Sequence, residues 1–211
     1  TSFYNNPIDS EAFFNDDESK KFGLLSSSQV GPTIADDIRT SAIWSIIFSL
    51  VIIFVYILVR FSKWQFSAGA VAAVFHDTLI VSSLFSLLYG IVPFSLEIDQ
   101  AFIAAILTVI GYSLNDTVVV FDRIREYMRE HRKMSFGEMV NSALNSTLSR
   151  TINTSMTTLF VLLIIFLFGG ETIRGFMFAL LIGIIVGTYS SLFVASPIMY
   201  DALKKQMDSK K

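Results

Sequence analysis

The sequence predicts an all-α membrane protein: a five-span transmembrane helical bundle with a short interfacial amphipathic helix. Three observations carry that prediction. Apolar residues make up 53% of the 211 and charged residues 16%, whereas a soluble domain has about a quarter charged. Five apolar runs approach or exceed the roughly 20 residues that a helix needs to cross a hydrocarbon core about 30 Å thick. The basic residues collect between alternate runs, as in a multi-pass chain. The composition also excludes other classes. With no Cys there is no disulfide framework, thiolate metal site or cysteine nucleophile. A net charge of −2 excludes a broad basic surface, so no nucleic-acid partner is expected.

The first span, about 41–59, is uninterrupted by charge and rich in Ile, Val and Phe. The second, about 66–91, is broken only by His76 and Asp77, and the third, about 100–121, contains Asp116. Between the third and fourth lies a segment too polar to span. Over 135–149, Phe136, Met139, Val140, Ala143, Leu144 and Leu148 recur at helical spacing, and Ser135 with Glu138 forms a capping box. It reads as an amphipathic helix along the membrane interface. The fourth span, about 151–168, has no charge; Gly169-Gly170 makes a tight turn into the fifth, about 173–199, which meets Arg174 at its start and Pro197 near its end.

Orientation follows from the connections. Arg60 and Lys63, the run from Arg123 to Lys133, and Lys204, Lys205, Lys210 and Lys211 place eleven of the 16 Lys and Arg on one side, which is therefore cytoplasmic. The opposite side carries Glu97, Asp99 and Glu171. Residues 1–40 fall there as the end of an extracytoplasmic domain and lead-in, the spans occupy 41–200, and 201–211 form a cytoplasmic tail. Val30-Gly31-Pro32 reads as a turn, with Thr33 as N-cap of the first helix. Residues 1–40 hold no apolar core of signal-peptide length, so a further span upstream is expected. The basic run Arg123 to Lys133 sets topology, with at most a minor contact to anionic lipid or a cytoplasmic partner.

Polar residues within the spans need a reason, because an Asp at a helix centre costs about 2.5–3.5 kcal/mol on insertion scales. On the third span Thr108, Tyr112 and Asp116 are spaced by four, with Gly111 and Asn115 beside them. On the fourth, Arg150, Asn153, Thr154, Thr157 and Thr158 follow the i, i+3, i+4, i+7, i+8 pattern. Asp116 and Arg150 are thereby candidates to face each other across a wet polar pocket. Two readings fit Asp116: a static buried ion pair, or a proton carrier that is protonated when its Arg partner leaves and releases the proton when the pair re-forms. One proton crossing at 100 mV supplies about 2.3 kcal/mol. That shifts a two-state equilibrium about fiftyfold. Asp77 and His76, near mid-span, are candidates for a relay or for structural hydrogen bonds, and Arg150 also fits an interfacial anchor. The stripe Ala179, Gly183, Gly187, Ser191 and Ala195 on the fifth span suits close helix packing. No GxxxxGK[ST] motif occurs, so nucleotide hydrolysis is not expected of this chain.

The segment from Ala104 to Glu126, with Gly111-Tyr112-Ser113-Leu114-Asn115-Asp116-Thr117 at its centre, resembles the signature of the SecF family. So do Val30-Gly31-Pro32, His76-Asp77, Ser149-Arg150-Thr151-Ile152, Gly169-Gly170 and Gly187-Thr188-Tyr189-Ser190-Ser191, in the same order over about residues 29–200. The resemblance implies a membrane domain of the resistance-nodulation-division (RND) superfamily, with the five spans matching the last five of six. It implies a non-enzymatic subunit of the bacterial inner membrane that uses the proton-motive force in late preprotein translocation, with protons as coupling ion and no other cofactor. Its implied partners are SecD, fused upstream or separate, the SecYEG translocon, the preprotein, and YidC and YajC as further candidates. By the resemblance, Asp116 matches the family's proton-linked aspartate and Arg150 its arginine on the next span. The alternatives are a proton-coupled exporter of lipids or small molecules, and a structural subunit of a translocon.

Overall fold

The computed structural model describes residues 32–208 apart from Arg132. The reading of residues 1–31 as the end of an extracytoplasmic domain, with the Val30-Gly31 turn, lies outside the described residues. The helices are α1 (Pro32–Phe61), α2 (Trp64–Leu88), α3 (Gln100–Glu130), α4 (Phe136–Phe168), α5 (Glu171–Ser190), a π-helical turn (Ser191–Ala195) and α6 (Ser196–Asp208). Five stretches are long and apolar enough to cross a membrane, the last running through α5, the π turn and α6. The chain is therefore a multi-pass helical membrane protein.

Local chemistry sets the boundaries. α1 begins at Pro32 rather than after Thr33; proline suits the first helical position, where an N–H has no partner in any case. Asp99 caps α3 by accepting from Phe102 N at 2.8 Å. The expected capping box at Ser135 and Glu138 is present. The segment 135–149 is helical as expected, but it is the first part of a single 33-residue helix with span four. No proline or glycine interrupts residues 138–168, so nothing breaks the ladder there. At 1.5 Å per residue α4 is about 50 Å long, more than the hydrocarbon core needs. α3 likewise continues beyond Phe121 to Glu130, carrying most of the basic run on a helix.

Gly169 and Gly170 cap α4 and α5 with no residue between them. A Cβ at Gly169 would meet the Ile165 carbonyl oxygen, so glycine permits the connection. Pro197 explains the π turn. Its ring would clash with the carbonyl four residues earlier, and it lacks an N–H; the widened turn makes room, while Ser196 Oγ donates to Ser191 O at 3.0 Å.

α3 and α5 form the central pair, with α2 and α4 against them on either side. Two apolar clusters result. One gathers Ile57, Phe61, Phe66, Phe121, Met199 and Leu203 at the end bearing most of the basic residues, with the Phe66 ring 5.0 Å from Phe61 and 5.1 Å from Phe121. The other gathers Val81, Phe85, Phe102, Ile106, Leu180 and others toward the acidic end. α1 contributes Ile57 and Phe61 to the interior and leaves Trp44, Phe48, Ile52 and Val55 exposed, as a lipid-facing helix does.

Candidate functional site

A polar layer separates the two apolar clusters. On α3 it consists of Ser113, Asp116 and Thr117, all buried; α2 adds Asp77, α4 adds Thr151 and Ser155, and α5 adds Ser190. These positions meet where α3 packs against α2, α4 and α5, with Asp77, Ser113 and Ser190 joined directly by hydrogen bonds. The close approach depends on glycine: a Cβ at Gly183 would strike the Val109 side chain, and one at Gly187 would come within 3.0 Å of Ser113 Cβ. Gly183, Gly187 and Ser191 are all buried, and Ser191 Oγ donates to Thr188 O at 3.0 Å.

The two carboxylates differ. Asp77 is 0% exposed, and its Oδ2 accepts from Ser113 Oγ at 2.6 Å and Ser190 Oγ at 2.8 Å. His76 Nδ1 lies 3.1 Å from Asp77 Oδ1, its half-buried ring 6.5 Å from that of Tyr189. One carboxylate thus links α2, α3 and α5, with both oxygens satisfied. Asp116 is 2% exposed, and its Oδ2 has no hydrogen-bond partner. The groups of α4 that act on it are the Arg150 charge and the Ser155 hydroxyl. Arg150 itself is exposed, and among the described residues it makes no contact ion pair with Asp116. Thr151 Oγ1, also buried, is a second polar atom without a partner on the side of α4 that carries Ser155.

The remaining expected residues lie on another surface. Thr108, Asn115, Asn153, Thr154 and Thr157 are exposed, and Gly111 has open space beyond it. The Thr108, Thr154 and Thr157 hydroxyls donate to carbonyls of their own helices at 2.8–2.9 Å. Tyr112 OH reaches Thr158 Oγ1 and Thr154 O, each at 3.3 Å, joining α3 to α4. The hydroxyls nearest the buried carboxylates were not singled out from the sequence: Ser113 and Ser190 at Asp77, and Thr151 and Ser155 on the inner side of α4. A signal existed, since Thr147, Thr151 and Ser155 also recur every fourth residue. Ser155 Oγ also lies 2.6 Å from Thr188 Oγ1, which ties α4 to α5. Among the described residues no group of His, Asp and Glu could hold a metal ion.

Spanning helices packed around two buried carboxyl groups define a multi-pass helical membrane domain. Residues 10–205 match the family described as protein export membrane protein SecD/SecF, C-terminal. The chain is 61% identical over 178 residues to the protein translocase subunit SecF of Rhodothermus marinus, covering 84% of this chain and 58% of that protein. It is 47% identical over 169 residues to the SecF of Vibrio alginolyticus, covering 80% and 51%. The chain thus spans a little over half the length of these curated relatives. The crystal structure of SecDF from Thermus thermophilus, described as a translocon-associated membrane protein, matches with a TM-score of 0.75 at 42% identity, over 83% of this chain and 23% of that one. SecDF in its super-membrane-facing form matches with a TM-score of 0.73 at 39% identity, over 86% and 24%. The chain belongs to the SecD/SecF C-terminal family of protein-export membrane proteins, and its curated relatives are SecF subunits.

Proposed function

We propose that this chain is the membrane part of a SecF subunit that couples the proton-motive force to late preprotein translocation across the bacterial inner membrane. The observation that carries the reading is Asp116: a carboxyl group at membrane depth, buried, with one oxygen unpartnered and the Arg150 charge acting on it from the next helix. A statically paired structural carboxylate would be satisfied in the manner of Asp77. A carboxyl that exchanges a proton needs a partner able to move toward it and away, and an exposed arginine on a neighbouring helix is suited to that.

The orientation in this reading puts the Arg- and Lys-rich end in the cytoplasm, with residues 1–40 outside. SecD is the proposed partner at the exposed face of α3 and α4. Gly111, Asn115, Asn153 and Thr157 are exposed there at membrane depth, where amide and hydroxyl groups against lipid are costly, so a second protein surface is expected to cover them.

The test uses the full-length SecDF-type complex with SecYEG in vesicles. Asp116→Asn and Arg150→Ala are each expected to lower proton flux and preprotein export at least tenfold while insertion and copurification are retained. Wild-type flux and export in both variants would sink the proton role and favour a structural subunit. Efflux of lipids or small molecules without a translocon would favour an exporter.

A further inference from the structure

At the basic end, the last turn of α1, the last turns of α3 and the middle of α4 line an open groove of about 600 Å³. Its cations are Arg60, Arg123, Arg125, Arg129 and Arg150; its carboxylates are Asp122, Glu126 and Glu130. Two of the arginines are engaged: Arg60 Nη2 pairs with Asp122 Oδ2 at 2.7 Å, and Arg123 Nη1 with Glu126 Oε2 at 2.6 Å. Arg125 Nη1 donates to the main-chain oxygen of Arg60 at 2.9 Å, so it meets a carbonyl and no carboxylate. The Arg129 and Arg150 side chains make no hydrogen bond or contact ion pair among the described residues. The groove therefore has a surplus of guanidinium groups, whose planar forks match the paired oxygens of a phosphate.

Its depth narrows the ligand further. Val119 and Asp122 stand about 30–35 Å along α3 from Asp99, one hydrocarbon thickness away, so the groove opens at headgroup level. From it α4 enters the bilayer with Ile152 and Met156 exposed, and α1 with Tyr56 and Val59 exposed. A soluble anion would gain nothing from those apolar sides; acyl chains would.

We propose that this groove is a binding site for an anionic phospholipid, its phosphodiester held by Arg129 with Arg125 and its acyl chains lying along the exposed sides of α1 and α4. Basic pockets between transmembrane helices at a membrane surface bind lipid headgroups in this way. The groove borders the proton reading's Arg150, but the two arginines assigned to the phosphodiester, Arg125 and Arg129, have no part in that reading and the proposal does not depend on it.

The test measures spin-labelled phosphatidylglycerol against spin-labelled phosphatidylcholine on the full-length complex in mixed-lipid nanodiscs. The wild type is expected to prefer phosphatidylglycerol, and Arg125→Gln/Arg129→Gln to lose that preference by roughly fivefold per arginine. Lys204→Gln/Lys205→Gln removes the same charge outside the groove and is expected to leave the preference within about twofold. An equal loss in the lysine variant would mean a diffuse surface potential and overturn the site. So would an unchanged preference in the arginine variant, or displacement by inorganic phosphate as effective as by the lipid, which would mark a soluble-anion site. Arg129→Gln alone alters one exposed, unpaired side chain; if the double variant fails to insert, the single variant carries the test with an expected fivefold loss.

Discussion

Ser113 on α3 donates its hydroxyl hydrogen to Asp77 on α2 across 2.6 Å, three residues before the second buried carboxyl group, Asp116, on the same helix. Ser190 of α5 reaches the same oxygen at 2.8 Å. The node thus ties the helix that carries Asp116 to α2 and α5, without a direct bond to Asp116 itself.

Removing the acceptor should loosen that node. Asp77→Ala leaves the buried Ser113 hydroxyl without its partner, while Ser190 retains a longer bond to Gly187 O at 3.2 Å. The expected cost is about 1–2 kcal/mol in a reversible detergent-unfolding assay. Asp77→Asn keeps a carbonyl oxygen in place and should cost about half as much. An Asp77→Ala protein as stable as wild type would show the node to be incidental.

Gly183 tests the central helix contact. Gly183→Ala drives a methyl into Val109, and overpacking of this kind costs about 1–3 kcal/mol. Val109→Ala in the same chain should recover part of the loss, giving a double-mutant coupling energy above about 0.5 kcal/mol. Additive effects would place the strain elsewhere.

Gly111 gives the opposite expectation. A Cβ there meets nothing within 4 Å, so Gly111→Ala should stabilise the isolated chain by about 0.5–1 kcal/mol through the helix interior. If a SecD surface covers this face, the same methyl should weaken association by several-fold in a pull-down titration. Unchanged association would leave the face to lipid.

The two sides of α4 can be separated. Thr151→Val and Ser155→Ala alter the hydroxyls on the side that reaches Asp116, and each should lower proton flux about tenfold and displace its pH profile. Thr157→Val alters a hydroxyl already bonded to the Thr154 carbonyl at 2.8 Å and should cost less than threefold. A reversed order would place the functional face of α4 outward.

How far the sequence carries differs between fold and site. The length and apolarity of each span were legible from composition because the bilayer imposes a minimum helix length. The break expected near Arg150 was not, because polarity along a helix says where water lies and not where the backbone ladder ends; α4 runs through that point unbroken. The same limit applied to hydroxyls. Thr154 and Thr157 look like a polar lining on a helical wheel, yet a threonine in a helix can satisfy itself on a carbonyl three or four residues back.

The sequence by itself determined the number of spans, the sidedness of the charges and which helices carry Asp77, Asp116 and Arg150, because these follow from hydropathy and a fixed 1.5 Å rise. Only the tertiary structure decided that Asp77 is satisfied from three helices while Asp116 keeps an unpartnered oxygen, and that α4 turns Thr151 and Ser155 inward. Periodicity assigns residues to a common face, but α4 carries hydroxyls on two faces. Which one turns inward is settled by the glycine-dependent contact of α3 with α5, against which α4 then packs.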